Sequence, residues 1–364
     1  MNTVRDIIQA LDTVFPLSTQ DSWDNSGLLV GDDAAEAHAI LLAVDITEGA
    51  LDEAVARGCD MIVSHHPLMF KGLKRLTGSN AEQRIVMRAL REGIALAAFH
   101  TPADKSLEGT SATLGRMIGL DGFHVLAPES ESLCKIVVYV PTDNAEAIVD
   151  ALAAGGAGHI GNYSHCVWTV DGMGRFKAED GANPYVGALG EVHHEAESRV
   201  EAICPKRLVG RVVASVVAAH PYEEPAIDVI PLANTNKRVG YGVYADYSTP
   251  MPREHFLRLL KESLECKVLR YAGDGETIRR VAICTGSGSE FVSDAIAAGA
   301  DAYITADMKY HQMMDAAEKI MVIDVGHYES ESLTKQIFNG ILSRKLSNFA
   351  RCEIYQNANP IKYY

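Results

Sequence analysis

The amino-acid sequence predicts an α/β fold, in which a three-layer α/β domain is interrupted by a ferredoxin-like α+β insertion. Two observations support this prediction. Short, apolar segments alternate with amphipathic segments near both ends of the chain, which is typical of parallel sheets covered by helices. Between them lies a β-α-β-β-α-β order, which is ferredoxin-like. A length of 364 residues is enough for two or three domains, each with its own core.

Residues 1–129 form the first part of the predicted α/β domain. Thr47 can cap the helix that follows the first strand, Gly58 can end that helix, and Gly93 can end the next one. The predicted elements are a helix over 4–14, strand AILLAVD (39–45), a helix up to Gly58, a strand over 61–64, a helix over 80–92 and strand IALAAF (94–99). Strand–helix–strand repetition at this spacing predicts a parallel sheet.

Residues 130–236 form the predicted insertion. Its elements are strand CKIVVYV (134–140), a helix over 142–154, strand HCVWTV (165–170), strand RVEAIC (199–204), a helix over 205–218 and strand AIDVIPL (226–232). The glycine-rich stretch from Gly155 to Gly190 predicts long loops or a wide hairpin in the middle of this region.

Residues 237–364 resume the α/β pattern and complete the interrupted domain. Predicted strands at 280–284, 302–305 and 320–324 alternate with helices at 289–298, 309–318 and 330–346. Three sequential domains are the alternative. An insertion is favoured because the two flanking regions carry incomplete sets of metal ligands that would complete each other.

The composition disfavours several classes of protein. A formal net charge of −15 opposes broad binding to nucleic acid or to an anionic membrane. The apolar runs are too short to span a membrane, and the N-terminal stretch lacks the apolar core of a signal peptide. Seven cysteines without a CxxC pair indicate reduced, mostly buried thiols. These features predict a cytoplasmic protein.

Two adjacent histidines, His65 and His66 in SHHPLMF (64–70), follow an apolar strand directly. Ligands of open α/β sheets bind at the carboxyl ends of strands, so both imidazoles are expected at such an edge. Adjacent side chains point in different directions and can therefore serve two different metal ions. The alternative is one buried, hydrogen-bonded histidine and one that faces solvent.

Two further clusters follow other strands. Asp104 ends HTPAD (100–104), where it is either a carboxylate at the same sheet edge or a helix cap. His327 and Glu331 lie four residues apart in DVGHYESE (324–331), so a helix that begins near Gly326 places both on one face. Taken alone, this pair is also common on solvated helices.

Together the three clusters predict a centre for two metal ions. They supply three imidazoles and two carboxylates, and the donors are His65, His66, Asp104, His327 and Glu331. This set suits borderline divalent ions, with zinc as the first choice and iron, manganese or cobalt as alternatives. Two such ions about 3.5–4 Å apart can activate a water molecule near neutral pH.

Several longer motifs resemble one known family. The motifs are WDNSGLLVG (23–31), SHHPLMF, HTPAD, ITADMKYH (304–311) and GHYESE (326–331). They resemble the signatures of the dinuclear-metal-centre hexameric proteins, also called NGG-interacting-factor-like proteins or GTP cyclohydrolase I type 2 homologues. The stretches 161–176, 181–201 and 219–232 resemble the longer bacterial members, whose middle domain is similar to PII-like and copper-tolerance-like folds.

The resemblance implies a homohexamer and places the metal ligands of the family on the five residues derived above. It also implies a metal-dependent hydrolase that opens the guanine ring of GTP or acts on another nucleotide or phosphorylated small molecule. Glu331 and Asp104 are the expected catalytic carboxylates. The usual threonine–glycine–aspartate of the family reads Thr305, Ala306 and Asp307 here, which leaves the roles of Asp307 and His311 open.

Other features allow two interpretations. A protein that stores, delivers or senses metal, with a small ligand bound to its insertion, is the alternative to an enzyme. TGSGS (285–289) could bind phosphate or form a tight turn. Trp23, Asp24 and Asn25 could line the mouth of the site or form a turn, and Lys71, Lys74, Arg75 and Lys309 could meet phosphates. His193, His194 and Glu195 could form another metal site or a solvated loop.

Overall fold

The computed structural model describes residues 2–346, 351–356 and 359–363. The chain divides into two compact units, of which one combines 1–128 with 237–364 and the other spans 129–236. The mixed α/β class predicted from the sequence is confirmed. None of the helices in the described ranges is long and apolar enough to cross a membrane.

The first segment alternates strands and helices as predicted. Its elements are α1 (Val4–Asp12), β1 (Gly27–Val30), β2 (Ala39–Ala43), α2 (Glu48–Ala56), β3 (Met61–Ser64), α3 (Ala81–Glu92), β4 (Ala95–Ala98), α4 (Thr101–Asp104), α5 (Thr110–Met117) and β5 (His124–Glu129). Thr47 Oγ1 accepts the Ala50 N–H at the start of α2, and Gly93 ends α3 with a φ of +71°. Both helix boundaries follow local capping chemistry that the sequence displays.

The second unit has the element order of a ferredoxin-like fold. Its elements are β6 (Leu133–Pro141), α6 (Ala145–Gly155), β7 (Val167–Lys177), β8 (Val192–Pro205), α7 (Val209–Ala219) and β9 (Ile227–Leu232). They form an antiparallel sheet of order β7-β8-β6-β9. The strands of the central hairpin extend well into the glycine-rich stretch, because Gly172 and Gly174 pair within β7 rather than forming a loop.

The last segment contributes the remaining elements. They are β10 (Asn236–Pro252), α8 (Arg253–Ser263), β11 (Arg270–Ala272), β12 (Thr277–Ser287), α9 (Val292–Ala297), β13 (Ala302–Ala306), α10 (Tyr310–Ala317), β14 (Met321–Asp324), α11 (His327–Glu331), α12 (Thr334–Lys345) and β15 (Arg351–Ile354). The predicted helix over 330–346 is therefore two helices, and the first of them begins just after Gly326, whose φ is +90°.

The first unit contains two sheets, where the sequence predicts one three-layer domain. One sheet has the order β1-β4-β3-β2-β15 and the other has the order β11-β14-β13-β12-β10-β5. Parallel strands form the middle of both, but antiparallel strands such as β1, β10 and β11 flank them. The two chain segments therefore do not build one continuous sheet, although β15 returns to the first sheet and β5 joins the second.

Each of these two sheets is covered by helices on both faces. Alternate residues of β2 divide between two cores: Ile40 and Leu42 pack with residues of α1 and α12, whereas Leu41 packs with residues of α2 and α3. The second sheet is covered by α5 and α8 on one face and by α9 and α10 on the other. Strands that are buried on both faces explain the continuous apolar runs in the sequence.

Candidate metal centre

The five residues predicted as metal ligands converge at strand ends from both sheets of the first unit. His65 and His66 follow β3, Asp104 ends the short helix after β4, and α11 presents His327 and Glu331 after β14. His65, His66 and Asp104 follow two neighbouring strands of one sheet, as the sequence predicts, whereas His327 and Glu331 follow a strand of the other sheet. The cluster lies where the carboxyl ends of strands from two different sheets meet.

One group of donors surrounds the buried imidazole of His65. Its Nε2 atom lies 3.4 Å from Oδ1 of Asp104 and 3.7 Å from Oε1 of Glu331. The His65 side chain has no exposed surface, and that of Glu331 is only 5% exposed. One nitrogen and two carboxylate oxygens therefore face a common point, and the three atoms lie within 4.8 Å of one another.

A second group forms around the other oxygen of the same glutamate. Oε2 of Glu331 lies 3.0 Å from Nε2 of His66 and 2.9 Å from Nε2 of His327, and these two nitrogens are 3.5 Å apart. Glu331 thus presents one oxygen to each group. A carboxylate in this position can bridge two cations, so the donors present could hold metal.

His100 is a candidate ligand that the sequence reasoning did not single out. Together with His65 and His66 it forms a third group of donors within 4.8 Å. The signal was present, since His100 directly follows the apolar strand β4, as His65 follows β3. It was missed because only the carboxylate of HTPAD was considered.

The outward-facing nitrogen of every imidazole in the cluster is held by an oxygen. The Nδ1–O distances are 3.0 Å for His65 and the Phe99 carbonyl, 2.8 Å for His66 and Asp45, 3.0 Å for His100 and Asp24, and 2.7 Å for His327 and Asp307. A carbonyl or an ionised carboxylate only accepts, so each Nδ1 carries the proton. The Nε2 atoms then face the cluster, where a metal ion would replace any proton that they carry, which is the usual arrangement around bound metals.

Asp307 and His311, whose roles the sequence leaves open, differ in their surroundings. Asp307 adopts a left-handed backbone with a φ of +57°, which directs its carboxylate to Nδ1 of His327. Aspartate tolerates this conformation better than most residues do. His311 is exposed on α10 beside the ring of Tyr310 and belongs to none of the donor groups in the described chain.

Positive charge on the neighbouring imidazoles stabilises the buried carboxylate of Glu331. Burial alone would lower the pKa of His66, but its hydrogen bond to Asp45 and its close contact with the Glu331 carboxylate raise that pKa to about 10. Close contact with the same carboxylate likewise raises the pKa of His327 to about 9. Burial opposes ionisation of Glu331, yet His65 and its other imidazole neighbours hold the pKa of this carboxyl well below its usual range.

Two buried atoms of the cluster have no hydrogen-bond partner among the described residues. They are Nε2 of His65 and Oε2 of Glu331. A buried polar atom without a partner is costly, and such atoms need a specific explanation. A cation in each donor group would satisfy these two atoms, since nitrogen and carboxylate oxygen are its natural ligands. The residues present therefore fit a bound metal.

The TGSGS segment (285–289) packs against Glu331 of the cluster. A Cβ atom on Gly286, whose φ is +67°, would lie 2.1 Å from Oε1 of Glu331. The Gly286 N–H donates to Oγ of Ser330 at 3.0 Å, so this donor is already used within the protein. Most of the segment forms the end of β12 and packs against Glu331, and the donor that could have met a phosphate at Gly286 is occupied.

Aromatic rings lie beside the cluster. Trp23 and Phe70 are 56% and 48% exposed, and their ring centroids lie 6.2 Å apart. Both rings pack edge-on to His100, at 5.6 and 5.7 Å. Asp24, which follows a turn at Ser22 and Trp23, also accepts the Thr101 hydroxyl at 2.6 Å. The WDNS motif therefore both lines the mouth and positions His100.

The histidines of the second unit lie in different surroundings. Nε2 of His193 is 2.8 Å from Oε2 of Glu195, and its ring packs 5.4 Å from that of Phe176. The groups of three metal-donor residues found in the described ranges all lie in the first unit. His193 and His194 therefore do not form a comparable cluster there.

Comparison with known proteins identifies the family. Residues 2–360 match the Duf34/NIF3 (NGG1p interacting factor 3) family. A relative from Halalkalibacterium halodurans, named GTP cyclohydrolase 1 type 2 homolog, is 35% identical over 91% of this chain and 89% of that protein. A protein of the same name from Mycobacterium tuberculosis is 38% identical over 90% of this chain and 87% of that protein.

Solved structures agree with this assignment. The crystal structure of a Bacillus cereus protein related to NIF3 superposes with a TM-score of 0.85 and 33% identity, and the match covers 100% of this chain and 99% of that chain. A match of this extent includes both compact units. The chain therefore belongs to the Duf34/NIF3 family.

Proposed function

We propose that this protein binds two divalent metal ions per chain and uses them to hydrolyse a nucleotide or another phosphoester. The observation that carries the proposal is the position of Glu331, whose two oxygens face two separate groups of donors. His65 and Asp104 would hold one ion, and His66 and His327 the other, with Glu331 between them. Zinc is the first choice for this set of nitrogen and oxygen donors, followed by iron, manganese and cobalt.

Such ions would act as Lewis acids and supply a nucleophilic water at neutral pH. The protein side chains have the remaining tasks. Asp45, Asp24 and Asp307 orient the imidazoles. Glu331 and Asp104 would direct the attacking group. Their catalytic roles are part of the proposal.

The surroundings of the cluster favour a planar, negatively charged substrate. The exposed rings of Trp23 and Phe70 offer apolar faces to a base. Lys71, Lys74 and Arg75 follow Phe70 in the same loop and are exposed, so they can reach phosphate groups. Relatives named GTP cyclohydrolase 1 type 2 homolog make GTP the first substrate to test.

The test compares metal content and turnover in one series of proteins. Native protein should contain about two equivalents of divalent metal, and the His65→Ala, His327→Ala double variant should lose most of it. His311→Ala, which removes an exposed imidazole outside the donor groups, is the matched control. Native-like metal content in the double variant would exclude the assigned ligands.

Turnover is measured with GTP, other nucleotides and a chromogenic phosphodiester, each with metal content determined on the same sample. Loss of hydrolysis in the double variant but not in His311→Ala supports the enzyme. If fully loaded native protein hydrolyses none of these compounds, a protein that stores or delivers metal becomes the better description.

The homohexamer implied by the resemblance and the cytoplasmic location remain predictions. Light scattering on the metal-loaded protein tests the first, and cell fractionation tests the second.

A further inference from the structure

The second unit contains a cavity of about 430 Å³ that shares no residue with the metal centre. It lies on the open face of the four-stranded sheet. Val138 and Val140 of β6 pack into the core beneath α6 and α7, so Tyr139 between them faces the other way, into the cavity. Two loops, over 182–185 and 222–226, complete the walls. A volume of this size accommodates a small organic molecule.

Three aromatic rings form one side of the cavity. The ring of Tyr222 lies 6.1 Å from that of Phe176 and 6.2 Å from that of Tyr185, with angles of 61° and 52° between the planes. Rings that are inclined in this way do not stack face to face, and all three line the cavity. The face of an aromatic ring carries partial negative charge and attracts cations.

A carboxylate is held next to these rings. The Tyr222 hydroxyl donates to Oε1 of Glu197 at 2.9 Å. The same carboxylate lies across Gly174, where a Cβ atom would be only 2.1 Å from Oε2. The absence of a side chain at Gly174 therefore leaves the space that Glu197 occupies.

Two further acidic residues line the cavity. Glu223 accepts the Asn183 N–H at 3.0 Å and thereby ties the two wall loops together, and Glu224 follows it. The basic lining residues are Arg175 and Lys177, and Nζ of Lys177 lies 3.3 Å from Glu179 outside the cavity. The cavity lining therefore carries three carboxylates, one guanidinium and one ammonium group, and the ammonium group is already paired with Glu179. This excess of negative charge disfavours a phosphate ligand.

We propose that this cavity binds a small organic cation, with its ammonium group against the rings of Tyr222, Phe176 and Tyr185 and close to the carboxylate of Glu197. Aromatic rings combined with a carboxylate are the arrangement that recognises alkylated ammonium groups. This inference concerns the second unit and is independent of the reaction at the metal centre.

The first experiment tests whether binding depends on the positive charge of the ligand or only on its shape. Choline and its neutral carbon isostere, 3,3-dimethylbutan-1-ol, are titrated against the full-length protein, and binding is followed by ligand-observed NMR. Choline should bind at least about tenfold more tightly, because only the cation gains from the rings and the carboxylate. Equal binding of the two compounds, or no saturable binding of choline up to about 10 mM, overturns the proposal.

Variants then locate the bound cation. Glu197→Gln keeps the shape of the side chain and should weaken choline binding by about threefold or more, without affecting the neutral isostere. Gly174→Ala should have a similar effect, because the added methyl group displaces the Glu197 carboxylate without removing its charge. Trp168→Leu is the matched control, since Trp168 is an exposed ring of the same unit that does not line the cavity. Unchanged binding in both cavity variants contradicts the site, provided that their circular dichroism is native.

Discussion

The Nδ1 atom of His66 lies 2.8 Å from Oδ1 of Asp45, on the side of the imidazole that faces away from Glu331. Asp45 follows β2, so a third strand end of the first sheet contributes to the candidate metal centre. Its carboxylate fixes both the orientation of the ring and the position of its proton. The Nε2 atom consequently points into the cluster, where a metal ion can replace its proton.

Replacement of Asp45 by alanine should weaken zinc binding by about 10- to 100-fold, because the ring of His66 loses both its orientation and a partner that raises its basicity. Competition with a chelator of known affinity measures this change. Asp315→Ala, which removes an exposed carboxylate from α10, controls for the change in net charge. Equal zinc affinity in the two variants would contradict the role given to Asp45.

Gly286 offers a test of steric support for Glu331. Gly286→Ala should release bound metal, because the new Cβ atom would lie 2.1 Å from Oε1 of Glu331 and would push the carboxylate away. Gly299→Ala is closely matched, since its φ of +69° is almost the same but the nearest atom lies 3.9 Å from the added Cβ. Both variants should lose about 1 kcal/mol of folding stability through the left-handed backbone, and only the first should lose metal. Metal content and thermal unfolding temperature, measured for both variants, test this expectation.

Much of this site could be predicted because its signals are local. The ends of β3, β4 and β14 are marked by apolar runs followed directly by histidine or carboxylate, and Gly326 marks the start of α11. Each of these signals lies within a few residues of the ligand it predicts.

The parts that could not be predicted depend on contacts between distant residues. Asp24 and His100 are 76 positions apart, and nothing in either motif specifies that pairing. The pairing of β10 with β12 likewise joins distant segments, and β10 contains two glycines and three charged residues and no continuous apolar run. Local patterns identify elements, but they do not determine which edge of a sheet a distant strand will join.

The buried imidazole of His220 should make the second unit sensitive to acid. Burial lowers its pKa from 6.5, although the Tyr139 carbonyl, which accepts from Nε2 at 2.9 Å, and the charge of Glu197 oppose this shift. Below about pH 6.5 the unfolded chain therefore takes up a proton that the folded unit resists. The contribution of neutral His220 to the stability of the second unit is fully present above the pKa that this residue has in the unfolded chain. It is lost as the pH falls towards the lower pKa of His220 in the folded unit.

His220→Asn should remove this acid sensitivity, because asparagine can still accept the Tyr222 N–H but does not titrate. Hydrogen exchange of peptides from β8 and α7, corrected for intrinsic rates, is compared between wild type and variant at pH 7.5, 6.5 and 5.5. Protection should decline with acid more steeply in the wild type. The same dependence in both proteins would show that another group causes the decline.

The number of metal ions bound per chain in each variant shows whether Glu331 is shared by two ions or whether the two donor groups bind metal independently. His327→Ala removes a donor from only one group and should leave about one tightly bound ion per chain, and Asp104→Asn should do the same for the other group. Glu331→Gln should instead weaken both ions by at least about tenfold, because each group loses the charge of its shared carboxylate. Glu329→Gln, on the same helix, is the control, since the Glu329 carboxylate accepts from Asn359 and belongs to none of the donor groups among the described residues. Zinc content is measured after equilibrium dialysis at several free concentrations. If Glu331→Gln loses one ion and binds the other with native affinity, the glutamate serves a single metal and the two donor groups bind independently.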